Sequence, residues 1–138
     1  MLSRRETLGG AAGILATVLL PGAAGAGLVQ DRISEFTGGV QPESGRITLI
    51  VPELAENGAR VAVAVDAPGA QALMLLASEN PEPRVCTVRF GPASGSRRFS
   101  TRIRLARSQD VIVVVKLDDG NFTIASTSVQ VTVGGCIG

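Results

Sequence analysis

The stretch Val111-Ile112-Val113-Val114-Val115, which is followed by Asp118-Asp119-Gly120-Asn121, decides the class of fold. Every residue of the first segment is β-branched and apolar, a composition typical of a strand that is covered on both faces. Asp, Gly and Asn tolerate a positive φ, so the second segment predicts a tight hairpin turn. The pair of segments therefore predicts a central strand that turns directly into the last strand of the chain.

Outward from this hairpin, apolar residues recur at every second position, which is the period of a strand with one buried face. The connections between these rows are too short for helical crossovers, so a parallel α/β sheet is not expected. We predict an all-β fold, an immunoglobulin-like antiparallel β-sandwich of about seven strands. The alternating rows are Ile47/Leu49/Val51, Val61/Val63/Val65, Cys86/Val88/Phe90 and Phe99/Thr101/Ile103/Leu105.

Two local features depart from simple alternation. Residues 28–37 place Val29, Ile33 and Phe36 at helical spacing, which predicts a short N-terminal helix. In the last strand the apolar positions change parity between Ile124 and Val129. That change predicts a β-bulge at residues 125–128.

Residues 1–26 have the three parts of an export signal. Arg4 and Arg5 form a charged start, residues 8–20 are apolar and small, and Ala24-Gly25-Ala26 is a small-residue cleavage site. The arginine pair predicts a twin-arginine-type signal, and an ordinary secretory signal is the alternative. We therefore expect export to the periplasm, cleavage after Ala26 and no membrane anchor afterwards.

The composition excludes several function classes. The chain has 138 residues with no His, Trp or Tyr, and its formal net charge is +1. Without histidine, Ser-His-Asp and Cys-His catalysis and imidazole metal sites are impossible. The charge balance gives no case for nucleic acid. We expect no metal, no cofactor and no catalytic set, which leaves Cys86 and Cys136 as the candidates for chemistry.

Cys136 lies in the terminal sequence Gly134-Gly135-Cys136-Ile137-Gly138. Glycine populates both signs of φ, so residues 134–138 are predicted to form a flexible arm beyond a folded domain of residues 27–133. A thiol on such an arm is typical of a covalent carrier. The nearest preceding cation in sequence is Lys116, so nothing local lowers the pKa of the thiol, and a nucleophile of an enzyme is not predicted.

Two alternatives remain open at the level of sequence. The first is a structural or binding sandwich in which Cys86 and Cys136 form a disulfide, since paired cysteines are common in oxidising compartments. Cys86 shares the parity of Val88 and Phe90 and is expected to face the core, which argues against that pairing. The second is a thiol redox enzyme, which the lack of a Cys-x-x-Cys motif disfavours.

The terminal sequence from Val131 to Cys136 resembles the carboxyl-terminal arm of SoxY, the covalent sulfur carrier of the periplasmic thiosulfate-oxidising system. Residues 52–58, 80–83 and 101–106 are similar to stretches of that family as well. The resemblance implies that Cys136 carries thiosulfate-derived intermediates, first a thiosulfonate and then a persulfide. It implies that Gly134 and Gly135 act as a swinging arm.

The same resemblance implies partners. SoxY proteins work as heterodimers with SoxZ, a second small β-sandwich protein, and separate sulfur-oxidising enzymes dock the arm and perform the chemistry. Ile137 departs from the family pattern, which has glycine after the cysteine, and its β-branched side chain stiffens the backbone beside the thiol. The outward-facing arginines at 98, 102 and 104 are interpreted as a solvated sheet face.

Overall fold

The computed structural model describes residues 23–132, with one helix and nine strands. Seven of the strands correspond to the seven predicted from the sequence. The two that were not predicted, β1 and β3, have two residues each, which is too short for a periodic pattern. The elements are α1 (Ala23–Thr37), β1 (Glu43–Ser44), β2 (Thr48–Ile50), β3 (Leu54–Ala55), β4 (Val61–Asp66), β5 (Ala70–Ala77), β6 (Arg84–Arg89), β7 (Arg98–Ile103), β8 (Gln109–Leu117) and β9 (Phe122–Val131).

Two sheets pack face to face. The larger has the order β1-β9-β8-β5-β6, with β3 also paired to β9, and the smaller has the order β2-β4-β7. All pairings are antiparallel except those of β1 and β3, which run parallel to β9. The predicted all-β sandwich is confirmed, and β8 and β9 are joined by the predicted hairpin, in which Gly120 has a φ of 89°.

The central strand β8 is covered on both faces, as its unbroken β-branched run predicts. Val111, Val113 and Val115 are fully buried in the core between the two sheets. Val114 is also fully buried, but it belongs to a second core beneath helix α1. The molecule therefore has three layers, with the helix on the outer face of the larger sheet.

Helix α1 forms because its apolar residues recur at helical spacing. Val29 and Ile33 are buried against the larger sheet, and Phe36 packs beside them. The Phe36 ring meets the Phe122 ring edge to face, with 6.0 Å between their centroids. The predicted helix is confirmed, and it begins at Ala23, several residues earlier than expected.

The predicted bulge at residues 125–128 is wrong. The register between β8 and β9 is continuous from Gln109↔Val129 to Lys116↔Phe122. Ile124 packs toward the helix, whereas Val129 packs into the core between the sheets. The change of parity in the sequence therefore reflects two buried faces and not an extra residue.

An irregularity occurs instead between β5 and β6. Leu75 pairs with Cys86 while Leu76 pairs with Arg84, so Val85 is the additional residue on β6. Because of this shift, Val85 packs against the core between the sheets together with Cys86. Simple alternation along the strand would predict that Val85 lies on the sheet face opposite to Cys86, Val88 and Phe90.

Helix α1 is tied to the β5–β6 connection by a two-point ion pair. Arg32 donates from Nε to Glu82 Oε2 at 2.9 Å and from Nη2 to Glu82 Oε1 at 3.0 Å. The hydrogen bond from Arg32 and a second from the backbone N–H of Arg84 lower the pKa of Glu82 to about 2 from 4.5. The ionised carboxylate is thus the form that holds the helix.

This ion pair predicts a pH dependence of stability. Because the pKa of Glu82 is lower in the folded chain, its contribution is present above pH 4.5 and is lost as the pH falls toward 2. Urea unfolding of the Glu82→Gln variant is expected to show a shallower loss of stability over that interval than the wild type. The neighbouring exposed carboxylate gives a control, Glu79→Gln, which should follow the wild-type curve. Superimposable curves for wild type and Glu82→Gln would contradict the assignment.

Candidate functional site

The site residues predicted from the sequence lie outside the described residues. These are the carrier residue Cys136, the arm residues Gly134, Gly135, Ile137 and Gly138, and the signal residues Arg4 and Arg5. Their roles stay predictions. The structure describes the chain as far as Val131 and Thr132, at the end of β9. We call these two residues the root.

Both backbone N–H groups of the root donate hydrogen bonds, one to a backbone carbonyl and one to a side-chain hydroxyl. Thr132 donates its N–H to Ala55 O at 3.0 Å, continuing the parallel pairing of β3 with β9. Val131 donates its N–H to Ser108 Oγ at 2.8 Å. The chain is therefore anchored to the sandwich as far as Thr132, four positions before Cys136.

Gly58 allows three segments to meet at the root. Leu105 donates its N–H to Gly58 O at 2.7 Å. A Cβ atom at position 58 would lie 2.6 Å from Leu105 O and 2.9 Å from Val131 Cγ1, both closer than real contacts permit. The absence of a side chain is therefore required by the close approach of the backbone.

The close approach predicts the effect of adding a methyl group. Gly58→Ala must displace either the Leu105 backbone or the end of β9, at a cost of about 1–3 kcal/mol in the free energy of unfolding. Urea unfolding measures that loss, and amide hydrogen exchange at Thr132 should become faster. Gly91→Ala is the matched control, because a Cβ there meets nothing within 4 Å. Equal stability of the two variants would contradict the packing described.

A groove of about 510 Å³ opens beside the root. Its walls come from the turn after β3, from the connection between β7 and β8, and from the end of β9. Among the lining residues that the structure describes, the ionisable side chains are two arginines. The lining residues are Gly58, Ala59, Arg104, Leu105, Ala106, Arg107, Ser108, Val131 and Thr132.

The β7–β8 connection, residues 104–108, is fixed by two side chains from other elements. Asn80 donates from Nδ2 to Arg104 O at 2.9 Å and accepts the N–H of Ala106 at 3.0 Å. Gln109, which is 7% exposed, donates from Nε2 to Arg107 O at 2.9 Å and to Asn80 Oδ1 at 2.9 Å. The backbone beneath both arginines is therefore held by hydrogen bonds.

Sequence reasoning missed Asn80 and Gln109 as residues of this site. In the sequence, Asn80 precedes Pro81 and Pro83, which indicate only a connection between strands, and no motif marks Gln109. Apart from the Gln109–Arg107 hydrogen bond, which spans two positions, their partners lie 24–30 positions away along the chain, so no local pattern indicates these contacts. The one available signal was that residues 80–83 and 101–106 both belong to the stretches that resemble the SoxY family.

Cys86 lies on the edge strand β6, and its thiol is free in the structure. It packs against the core between the sheets, as predicted, although the edge position leaves it only partly buried. Burial raises the pKa of the Cys86 thiol, which disfavours the reactive thiolate.

The sheet also separates Cys86 from the root. Strands β5 and β8 lie between β6 and β9, so Cys86 and its row partner Ala125 are about 14 Å apart across the sheet. Val131 lies six residues further along β9, or about 20 Å. The distance across the sheet from Cys86 to Val131 is therefore about 25 Å. The five residues from 132 to 136, together with a disulfide, span at most about 24 Å. The two lengths are nearly equal, so a Cys86–Cys136 disulfide would require the segment after Val131 to be fully extended.

Residues 23–132 contain neither a metal-binding cluster nor a membrane-spanning helix. No cluster of three or more His, Cys, Asp or Glu side chains that could hold a metal ion occurs in this part of the chain. No helix within the same residues is long and apolar enough to cross a membrane.

The fold and the root define a class, that of immunoglobulin-like β-sandwich proteins whose last strand leads directly into a carboxyl-terminal cysteine segment. The model of one such family, described as sulfur oxidation protein SoxY, matches residues 33–136. The chain belongs to the SoxY family. No match is found among curated proteins.

One solved structure supports this assignment. The sulfur carrier protein SoxY from Chlorobium limicola f thiosulfatophilum is 33% identical, with a TM-score of 0.66 over 78% of this chain and 99% of that one. Superoxide reductase (neelaredoxin) from Ignicoccus hospitalis is 15% identical, with a TM-score of 0.56 over 64% of this chain and 82% of that one. A putative superoxide reductase from Thermotoga maritima is 14% identical, with a TM-score of 0.53 over 71% and 91%. The two reductases share the fold alone.

Proposed function

We propose that this protein is a sulfur carrier of sulfur oxidation that holds its cargo covalently on Cys136. The observation that carries the proposal is the family match, which runs through the sandwich and ends at Cys136. The 33% identity to a sulfur carrier protein SoxY supports the same role. The anchored root supports it physically, because it keeps the carrier residue within four positions of a rigid strand end.

The proposed cycle has two covalent steps. In the first, the Cys136 thiol and thiosulfate form an S–S bond, giving a Cys–S–S–SO₃⁻ adduct, one proton and two electrons, which a haem-containing partner accepts. In the second, water cleaves the bond to the sulfonyl sulfur, releasing sulfate and a proton and leaving a persulfide on Cys136. Neither step needs a catalytic group on the carrier, because the haem-containing partner accepts the two electrons and a hydrolysing partner activates the water.

We assign catalysis to the partners and not to this chain. The sequence contains no histidine, and the groove at the root offers arginines, which do not act as proton donors or acceptors near neutral pH. The proposal therefore treats Cys136 as a substrate attachment site. The protein binds and presents its cargo, and separate oxidising and hydrolysing enzymes act on it.

The proposal also includes a location and a stable partner. The signal-like residues 1–26 support export to the periplasm by the twin-arginine route. Membership of the SoxY family supports a heterodimer with a SoxZ-type β-sandwich subunit. Ile50 and Leu54 are 61% and 54% exposed, which is consistent with a surface that a partner covers.

Intact mass of the protein purified from cells that oxidise thiosulfate tests the function. We expect part of the population to carry added sulfur that a reductant removes, and a SoxZ-type subunit to co-purify. A single species two hydrogens lighter than the reduced chain would instead establish the Cys86–Cys136 disulfide and a structural role. Unmodified protein under oxidising growth would equally contradict the carrier.

A further inference from the structure

We infer that the groove beside the root is a binding site for a small tetrahedral oxyanion, with Arg104 and Arg107 as its ligands. Its significance rests on the proposed function, since sulfate and thiosulfate have this chemistry, but binding itself does not need Cys136. The groove lies where the carboxyl-terminal segment begins, because Val131 and Thr132 form part of its wall. An anion held there would be close to the residue that reacts with it.

The charge of the groove supports this assignment. Arg104 and Arg107 are exposed, and none of the ion pairs within residues 23–132 uses either of them. No Asp or Glu occurs among the described residues that line the groove. Guanidinium groups present several donors in a planar fork that matches tetrahedral oxyanions, so two uncompensated arginines give both charge and hydrogen bonds.

The backbone beneath the arginines is preorganised. Asn80 and Gln109 fix the carbonyl groups of Arg104 and Arg107 by hydrogen bonds of 2.9 Å. Binding then orders two side chains but no backbone, which lowers its entropic cost.

The position of the groove relates the anion to Cys136. Four residues separate Thr132 from Cys136, a covalent reach of at most about 14 Å. That distance is comparable to the screening length of about 8–10 Å at physiological ionic strength. The arginines would therefore raise the local concentration of anions around the thiol as well as bind them directly.

The first test uses the Cys136→Ser protein, in which no adduct can form, titrated with sodium sulfate at constant ionic strength and followed by backbone amide NMR. We expect saturable shifts at Ala59 and at residues 105–108, with a dissociation constant on the order of millimolar. The double variant Arg104→Gln/Arg107→Gln should bind about tenfold more weakly or not at all. Arg98→Gln/Arg102→Gln removes the same charge from the outer face of β7 and should bind like the parent.

The second test measures the effect on the thiol in the chain with Cys136 intact. We compare alkylation of Cys136 by iodoacetate, which is anionic, with alkylation by iodoacetamide, which is neutral. The ratio of the two rates is expected to fall about two- to fivefold in Arg104→Gln/Arg107→Gln at low salt and to change little in the control double variant.

Three results would overturn the inference. The first is that sulfate and chloride produce the same linear, unsaturated shifts. The second is that both double variants lose binding equally, and the third is that the ratio of alkylation rates is unchanged. Failure of the proposed function would look different, because it appears as the absence of a sulfur adduct on Cys136 whatever the groove binds.

Discussion

Replacing the carrier thiol, as Cys136→Ser, is expected to abolish thiosulfate-dependent respiration in cells that rely on this protein. A serine hydroxyl cannot form the S–S bond on which the proposed cycle depends, so the loss should be complete. Because position 136 lies beyond the predicted sandwich domain of residues 27–133, we expect the free energy of unfolding not to change. Oxygen uptake with thiosulfate and urea unfolding of the purified variant measure the two effects.

The second cysteine provides the matched control. Cys86→Ser makes the same chemical change on strand β6, in a partly buried position far from the root. It should lower stability modestly, because a hydroxyl replaces an apolar contact, and leave thiosulfate oxidation intact. Normal respiration of Cys136→Ser, or equal loss in both variants, would contradict the role assigned to Cys136.

Leu75→Ala is expected to be among the most destabilising single truncations of the core. The Leu75 side chain is fully buried on β5, between the neighbouring strands β6 and β8, and it faces the core between the sheets. Removing it leaves a cavity and costs about 2–5 kcal/mol, a large part of the 5–15 kcal/mol that small domains possess. Chemical unfolding followed by far-UV circular dichroism measures the loss.

Leu54→Ala is the control for that truncation. Leu54 has the same side chain but is 54% exposed, so its loss should stay within about 0.5 kcal/mol. Under the proposed twin-arginine export, the Leu75→Ala variant should also accumulate poorly, since that route accepts folded chains. A Leu75 effect no larger than that of Leu54 would mean that the sandwich core is not where the structure places it.

The core was predictable because each buried row follows the period of its strand. Val61, Val63 and Val65 are all buried, as their alternation with polar or small residues indicated. The error at residues 125–128 arose because one apolar row was assumed to mean one buried face. Helix α1 covers the outer face of the same sheet, so Ile124 and Val129 are both packed while pointing in opposite directions.

The candidate site was predictable only in part. Cys136 and its glycines stand out in the sequence because a thiol among glycines after the last predicted strand is typical of a carrier arm, and their roles stay predictions. The groove at the root depends on contacts that a sequence does not display. Gly58 meets Leu105 across 47 positions, and Asn80 reaches across 24 positions to Arg104. Such long-range pairings are set by the strand order and not by local periodicity.

The most direct test of the account is the mass of the two cysteine-containing tryptic peptides, taken from the protein of thiosulfate-oxidising cells without reduction. Cleavage after Arg84 and Arg89 gives residues 85–89 with Cys86, and cleavage after Lys116 gives residues 117–138 with Cys136. We predict thiosulfonate or persulfide sulfur on the Cys136 peptide alone, removed by reductant. A cross-linked pair of these peptides, or added sulfur on the Cys86 peptide alone, would contradict the claim that Cys136 carries the cargo.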